Sequence, residues 1–464
     1  MRVDVTADAV RTLRASYAAL PSARHMVGLH ADSKSAEARG YYNPIEDERL
    51  RETYASYLAM RVAIWQTIQS LKPRFKRYTK GQPLSQGELQ AFGIAFCGAE
   101  IIVRTGEYLI GLARDRDIVW KKLDEEERRY GLKRKSFTRL YRQLTSHFTM
   151  NGFYQARDYF DANREIVMEA LSGEELSAVA DILTTLNLPT APRGDHLRRY
   201  RRFVNFSLRR RSISAGRNTL FALFEATGSD IAELKIPLVK NIGAPKRVTA
   251  DVIKTLKPQL RSGDVFITRH DDAMSNLFLP GFWPHGALYI GPPEERLKRG
   301  VEDVSDGYQH SAAEDINILE AKKDGVLLRP IEETLQVDAF VILRPKLTEA
   351  QINQALSKGL SHAGKLYDFI FNFATSDRLV CTEVIYRAYH GVGPIDFTLS
   401  TQAGRKCLSA EDFLNQAIVN DWFEPVALYG VGGQNTFETD GKLRESLANT
   451  FASKFTKLDS QPIG

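Results

Sequence analysis

The spacing of the apolar residues changes near residue 240, and that change limits what the chain can fold into. Before it, apolar residues recur every three or four positions. Tyr54, Leu58, Val62, Trp65, Ile68 and Leu71 form one such run, closed by Pro73, and Phe137, Leu140, Tyr141, Leu144 and Phe148 form another. This is helix spacing. After the change come short β-rich runs bounded by Gly and Pro, at 264–269, 287–290, 316–320, 326–329 and 340–344, then a helix-patterned run at 347–360. A strand cluster followed by helices predicts an α+β domain, with a large all-α domain in front of it. The implied division is a helical domain over 1–240, an α+β domain with an antiparallel sheet over 241–435, and an amphipathic C-terminal helix or tail over 436–464. In that tail Leu443, Leu447, Phe451 and Phe455 recur at i+4.

A chain of 464 residues, 43% apolar and 26% charged, has the composition of a soluble globular protein with more than one core. Its formal charge of +6 is too small for this length to call for a nucleic-acid partner. Three cysteines, Cys97, Cys381 and Cys407, are an odd and sparse set. They argue against a disulfide framework and fit a reducing compartment. The first residues lack the basic and apolar regions of a signal peptide. The most membrane-like stretch, 94–113, is interrupted by Glu100, Arg104 and Glu107 and reads as a buried or half-buried helix. A cytoplasmic protein is expected, with export without a cleaved signal left open.

Two charged segments stand out. Residues 124–129 alternate sign as an exposed helix face does. Residues 197–211 carry seven arginines around a stripe of Leu197, Tyr200, Val204 and Leu208. That run reads either as a basic amphipathic helix for an anionic membrane or as a solvated helix whose arginines pair with the acidic residues upstream.

The chemistry centres on two residues. His285 follows Trp283 and Pro284 and opens a short apolar strand, while Cys381 opens a helix-patterned run whose buried side is Val384, Ile385 and Ala388. Ser376 and Asp377 are positioned to cap that helix. A thiol in a first helical turn gains from unpaired N–H groups and the helix dipole, and an imidazole can take its proton. Read alone, Cys381 would be a small buried hydrophobe; the strand-opening histidine shifts the balance. Glu320, at the end of its strand, is the candidate to orient the imidazole, with Asp315 and Asn317 next in line. No His-Glu-x-x-His or similar ligand spacing occurs, so neither metal nor cofactor is called for.

The ordered blocks Gly263-Asp264, 284–291, Leu319-Glu-Ala, 340–345, Leu347-Thr-Glu-Ala-Gln, Gly364-Lys-Leu-Tyr-Asp368 and 380–389 resemble the circularly permuted NlpC/P60 (papain-like) cysteine hydrolases of the YiiX/YebB type. The resemblance covers about residues 245–430. It implies a permuted papain-like domain with Cys381 as nucleophile, His285 as base, Glu320 as its partner and Tyr367 beside the thiol as an oxyanion donor. Leu366 and Thr382 depart from the family's usual proline and serine. The expected activity is that of a cysteine hydrolase or acyltransferase, cleaving an amide or ester through an acyl-thioester. The apolar run 277–283, ending at Trp283, would wall the site and favour a lipid-like acyl group. A cysteine peptidase or murein endopeptidase is the alternative among enzymes. A non-catalytic lipid-binding or scaffold protein is the alternative outside them.

Overall fold

The computed structural model describes residues 5–75, 83–114, 116–190, 193–194, 198–206, 245–270, 282–301, 315–368, 371, 373–402, 405–431, 437–439 and 443–450. The chain forms two compact units, divided after residue 214, within a segment outside the described residues.

The first unit is helical. Its long helix Pro44–Leu71 starts at a capping box, in which Asn43 accepts from the Glu46 N–H and the Glu46 side chain reaches back. The face it buries is Leu50, Tyr54, Tyr57, Ile64 and Leu71, whereas Val62 and Trp65 are 58% and 56% exposed. The predicted stripe drifted because each step of four residues turns about 40° past a full turn. Alternating steps of three and four keep to one side. Phe148 likewise leaves the stripe at 94% exposure, because Ser146 ends one helix and caps the next, His147–Ala162.

The apolar helix Gln86–Leu112 is long and apolar enough to cross a membrane by length and composition, yet 83% of its most apolar window is buried inside the protein. Its charges are paired within the unit. Glu100 binds Arg104 and, at 3.1 Å, Arg157, and Glu107 takes both oxygens to Arg199 at 2.9 Å. The acidic run is also partly interior. Asp124 and Glu127 are buried, and Asp124 caps the Ser136–Thr145 helix by accepting the Thr138 N–H at 2.7 Å. The expected exposed helix face is instead a turn that points Asp124 and Glu127 inward as cap and counter-ion and leaves Glu126, Arg128 and Arg129 exposed.

Of the arginine run, 197 and 207–211 lie outside the described residues, and 198–206 are helical. Tyr200 is 60% exposed, while Phe206 stacks on Trp120 at 4.3 Å. The inward side is thus Phe203 and Phe206 and not Tyr200. Arg202 donates to the Ala113 carbonyl at 3.1 Å. Since Arg199 is 8% exposed and Glu107 is 4% exposed, removing one partner strands a buried charge. Arg199→Ala should lower the stability of this unit by about 3 kcal/mol, measured by urea unfolding.

The second unit is built on a seven-stranded antiparallel sheet in the order β11-β10-β5-β1-β2-β3-β4. These strands are β1 Val265–Arg269, β2 His285–Tyr289, β3 Ile316–Lys322, β4 Gly325–Pro330, β5 Ala339–Pro345, β10 Phe423–Tyr429 and β11 Phe437–Glu438. The α+β expectation holds, and the five predicted strands are β1 to β5. One sheet face buries Phe266, Ala287, Ile318, Phe340 and Ile342 against the Ala250–Leu256 and Ile331–Thr334 helices. The helix Cys381–Tyr389 packs on β2 and β3. Two short pairs complete the unit, β6 Leu366–Tyr367 parallel to β7 Arg378–Leu379, and β8 Ser400–Gln402 with β9 Arg405–Cys407. The helix Leu443–Ala448 packs on β10 with Leu443 and Leu447 buried; Phe451 and Phe455 lie outside the described residues.

Two of the sequence blocks pin this frame. Asp264 is fully buried, accepts from Arg344 at 2.9 and 2.7 Å, and accepts the Arg261 N–H at 2.8 Å. Tyr389, at the end of the cysteine helix, donates to the Gly263 carbonyl. Gly263 has φ +98, and a Cβ there would lie 2.9 Å from Ile352.

Candidate active site

The first side chain of β2 is His285, at the edge of the apolar body of that strand and opposite Thr268. The next residue, Gly286, lets a helix approach the sheet, because a Cβ there would lie 2.7 Å from Ile385 Cδ1 and 3.2 Å from Ile267 Cδ1. That helix is Cys381–Tyr389. Ser376 and Asp377 do not cap it as expected, because β7 intervenes and makes Val380 the cap residue, with no side-chain cap hydrogen bond. No side chain therefore covers the N–H groups of Cys381 and Thr382, while Glu383 donates its N–H to the Val380 carbonyl at 3.1 Å. The Cys381 sulfur accepts from the Thr382 N–H and, across from the strand, from the Gly286 N–H. The Cys381 N–H itself has no acceptor among the described residues.

His285 lies between two partners. Its Nε2 is 2.7 Å from Glu320 Oε1, and its side chain also hydrogen-bonds Cys381, which leaves Nδ1 for the thiol. Glu320 sits on β3, its side chain fully buried. Its second oxygen takes Thr334 Oγ1 at 3.0 Å and Lys322 Nζ at 3.0 Å, with Arg329 Nε at 3.4 Å. Lys322 follows Glu320 by two residues, so a strand puts both on one face.

These contacts set the charges. Burial alone would depress His285, but the Cys381 sulfur and the Glu320 carboxylate outweigh it and raise its pKa to about 10. Burial would raise the Cys381 thiol, yet His285 and the two N–H groups bring it below its ordinary value. Glu320, despite burial, is held at about 2 by His285 and Lys322. These shifts favour a thiolate–imidazolium pair with an ionised carboxylate behind it. His270, beyond β1, is lowered to about 4 by burial and by Lys246 and His285, so it stays neutral beside that pair.

Tyr367 also lies here. The β6–β7 ladder pairs Tyr367 with Leu379, two residues before Cys381. Burial, then the neighbouring thiol and Asp368, push its phenol well above the ordinary value, so it keeps a proton to donate. Phe371 sets its ring edge-on to Tyr367, 6.1 Å between centroids, from a backbone at φ +55. For a residue with a Cβ that conformation costs roughly 1–3 kcal/mol. Trp283 is different. It is fully buried, its indole donating to Thr450 at 2.9 Å, so it supports the strand opening and presents no surface to a substrate. Residues 277–281, the rest of the expected wall, lie outside the described residues. Among the described residues no cluster of side chains could hold a metal ion.

Sequence reasoning reached Cys381, His285, Glu320 and Tyr367, which the fold brings together. It missed Lys322, Thr334 and Arg329 around Glu320, the Gly286 N–H, and His270. Lys322 alone had a usable signal, its i+2 position on the strand of Glu320. Asp315 and Asn317 bond each other at 3.0 Å, and Asp315 pairs with Lys257 at 2.7 Å.

A cysteine at a helix N-terminus, facing a strand histidine backed by a carboxylate, is the layout of a papain-like cysteine site, here with the histidine strand first in the chain. Residues 259–424, which lie within the second unit, match the model of the permuted papain-like amidases, the YaeF/YiiX or C92 family. No curated protein and no solved structure matches the chain.

The charge of Glu320 is testable. In Glu320→Gln the amide still meets the ring, but His285 should lose its proton about 1–3 pH units earlier than in the wild type. A histidine raised above its unfolded value stabilises the fold fully below pH 6.5 and loses that contribution as pH rises through about 10. The variant should therefore lose stability earlier on the alkaline side. NMR titration of the ring and thermal melting from pH 6 to 10 would measure both.

Proposed function

We propose that Cys381 is the nucleophile of a cysteine amidase or acyltransferase acting on amide or ester bonds, and that the acyl group is apolar. The observation that carries this reading is His285, hydrogen-bonded to Cys381 and 2.7 Å from Glu320. In the proposed cycle the thiolate attacks the carbonyl, forming the C–S bond. The imidazolium gives its proton to the leaving amine or alcohol as the old bond breaks. The Cys381 N–H and the Tyr367 hydroxyl donate to the developing oxyanion. Water, or an acceptor hydroxyl or amine, then gives its proton to His285, attacks the thioester carbonyl and releases the thiolate. Glu320 touches only the ring and positions it.

The choice of acyl group is supported by two aromatic rings, Tyr367 next to the thiol and Phe371 edge-on to Tyr367. Cys97, Cys381 and Cys407 are buried thiols, which supports a reducing compartment such as the cytoplasm. Docking of 197–211 to an anionic membrane draws less support, since Arg199 and Arg202 are committed to Glu107 and the Ala113 carbonyl.

Near neutral pH, Cys381 should alkylate with iodoacetamide far faster than Cys97 and Cys407, and His285→Ala should slow it. Between pH 8 and pH 6 an ordinary thiol loses about a hundredfold of its thiolate; Cys381 should lose much less. An acyl adduct on Cys381, detected by mass spectrometry after incubation with a long-chain p-nitrophenyl ester, is the expected intermediate. Equal reactivity of all three thiols in the folded protein would overturn the assignment.

A further inference from the structure

Phe371 is held in its left-handed conformation from both sides. Upstream, the Asp368 N–H donates to the Leu379 carbonyl at 3.1 Å, and Phe371 donates its own N–H to the Asp368 carbonyl at 3.2 Å. Downstream, the Phe373 N–H donates to the Lys406 carbonyl at 3.0 Å. The Phe373 ring is buried against Tyr386 of the cysteine helix, 5.6 Å between centroids. The backbone of residue 371 is thus fixed by its neighbours, which is the condition under which a strained residue persists. Glycine would meet this backbone without strain. An aromatic side chain makes it harder to hold, and its ring is only half-buried. Core packing does not account for it.

Its surroundings do. The ring stands edge-on to Tyr367, which the β6–β7 ladder sets next to the Cys381 segment. Leu366, on the same two-residue strand, is 47% exposed. We infer that Phe371 is the specificity-determining wall of the acyl site, its half-buried ring packing along the alkyl chain of an acyl group whose carbonyl sits between Cys381 and Tyr367. This deepens the acyl-transfer reading and rests on it.

The test uses two alkylating agents with the same reactive group, iodoacetamide and N-decyl-iodoacetamide, on the full chain. Their rate ratio at Cys381 isolates what the chain contributes, independent of thiol activation. The wild type should favour the decyl reagent. Phe371→Ala should cut that preference by about tenfold, and Phe371→Leu should retain most of it. Phe371→Gly removes the ring while relieving the backbone, so it keeps the test valid if the alanine variant folds poorly; it should lose the preference as alanine does. A ratio unchanged in both the alanine and glycine variants would overturn the inference, as would an equal fall in both rates, which is the mark of a purely structural ring. A wild-type Cys381 no faster than Cys97 or Cys407 would overturn the thiol reading itself, and this inference with it.

Discussion

The site depends on how closely the cysteine helix can approach β2. At Gly286 there is no side chain, and Ile385 fills the space a Cβ would need. That approach has two consequences at once. It buries the apolar side of the helix against the sheet, and it brings the Gly286 N–H within hydrogen-bonding reach of the Cys381 sulfur. The thiol is then held from the helix by Thr382 and from the strand by Gly286, with the His285 ring beside it. A larger residue at 286 would push the helix away and loosen all three contacts together, because a packed interface accommodates added volume by moving. Packing and chemistry are here the same constraint.

Behind that contact runs a column of alternating charge: thiolate, imidazolium, carboxylate, then the cations Lys322 and Arg329. Each buried member would be costly alone. Glu320 illustrates why the column holds. Burial pushes it toward the neutral form, yet it is kept at about 2, since one oxygen faces His285 and the other meets Lys322 and Thr334. A carboxylate that never titrates in the working range differs from an orienting amide. It stabilises the imidazolium as well as aiming it, adding to the larger effect of the Cys381 sulfur that raises the His285 pKa to about 10.

Much of this was readable in the sequence, and the parts that were not share a cause. The strands and the Cys–His–Glu set were legible because each leaves a local mark: period-two runs closed by Gly and Pro, a histidine at a strand opening, a cysteine at a helix start. The helix stripes were legible as helices and wrong in detail, since a stripe read in steps of four drifts and only the neighbours decide where it turns. The Asp124–Glu127 run failed differently. Its charge pattern fits a solvated face, but Arg51 reaches Glu125 from another helix, and Asp124 and Glu127 turn inward. Partners brought together by the fold leave no trace in spacing. The same holds for Trp283, whose place beneath the strand opening depends on Thr450, at the far end of the unit.

The residues of the site also divide by the kind of element that carries them. Cys381, His285 and Glu320 stand on a helix and two sheet strands, where backbone hydrogen bonds fix them and small errors in placement would be costly. Tyr367 stands on a two-residue strand, and Phe371 lies just past it, tied at both ends but outside the main sheet. In the proposed reaction rigid elements thus hold the reacting atoms, while Phe371 offers an aromatic ring beside Tyr367. Such a division lets the loop change what the site accepts without moving the thiol. It also explains why the positions of Cys381, His285 and Glu320 could be read from blocks of sequence while substrate preference could not. The strand and helix blocks are constrained by backbone geometry, and a loop aromatic is constrained by whatever it binds.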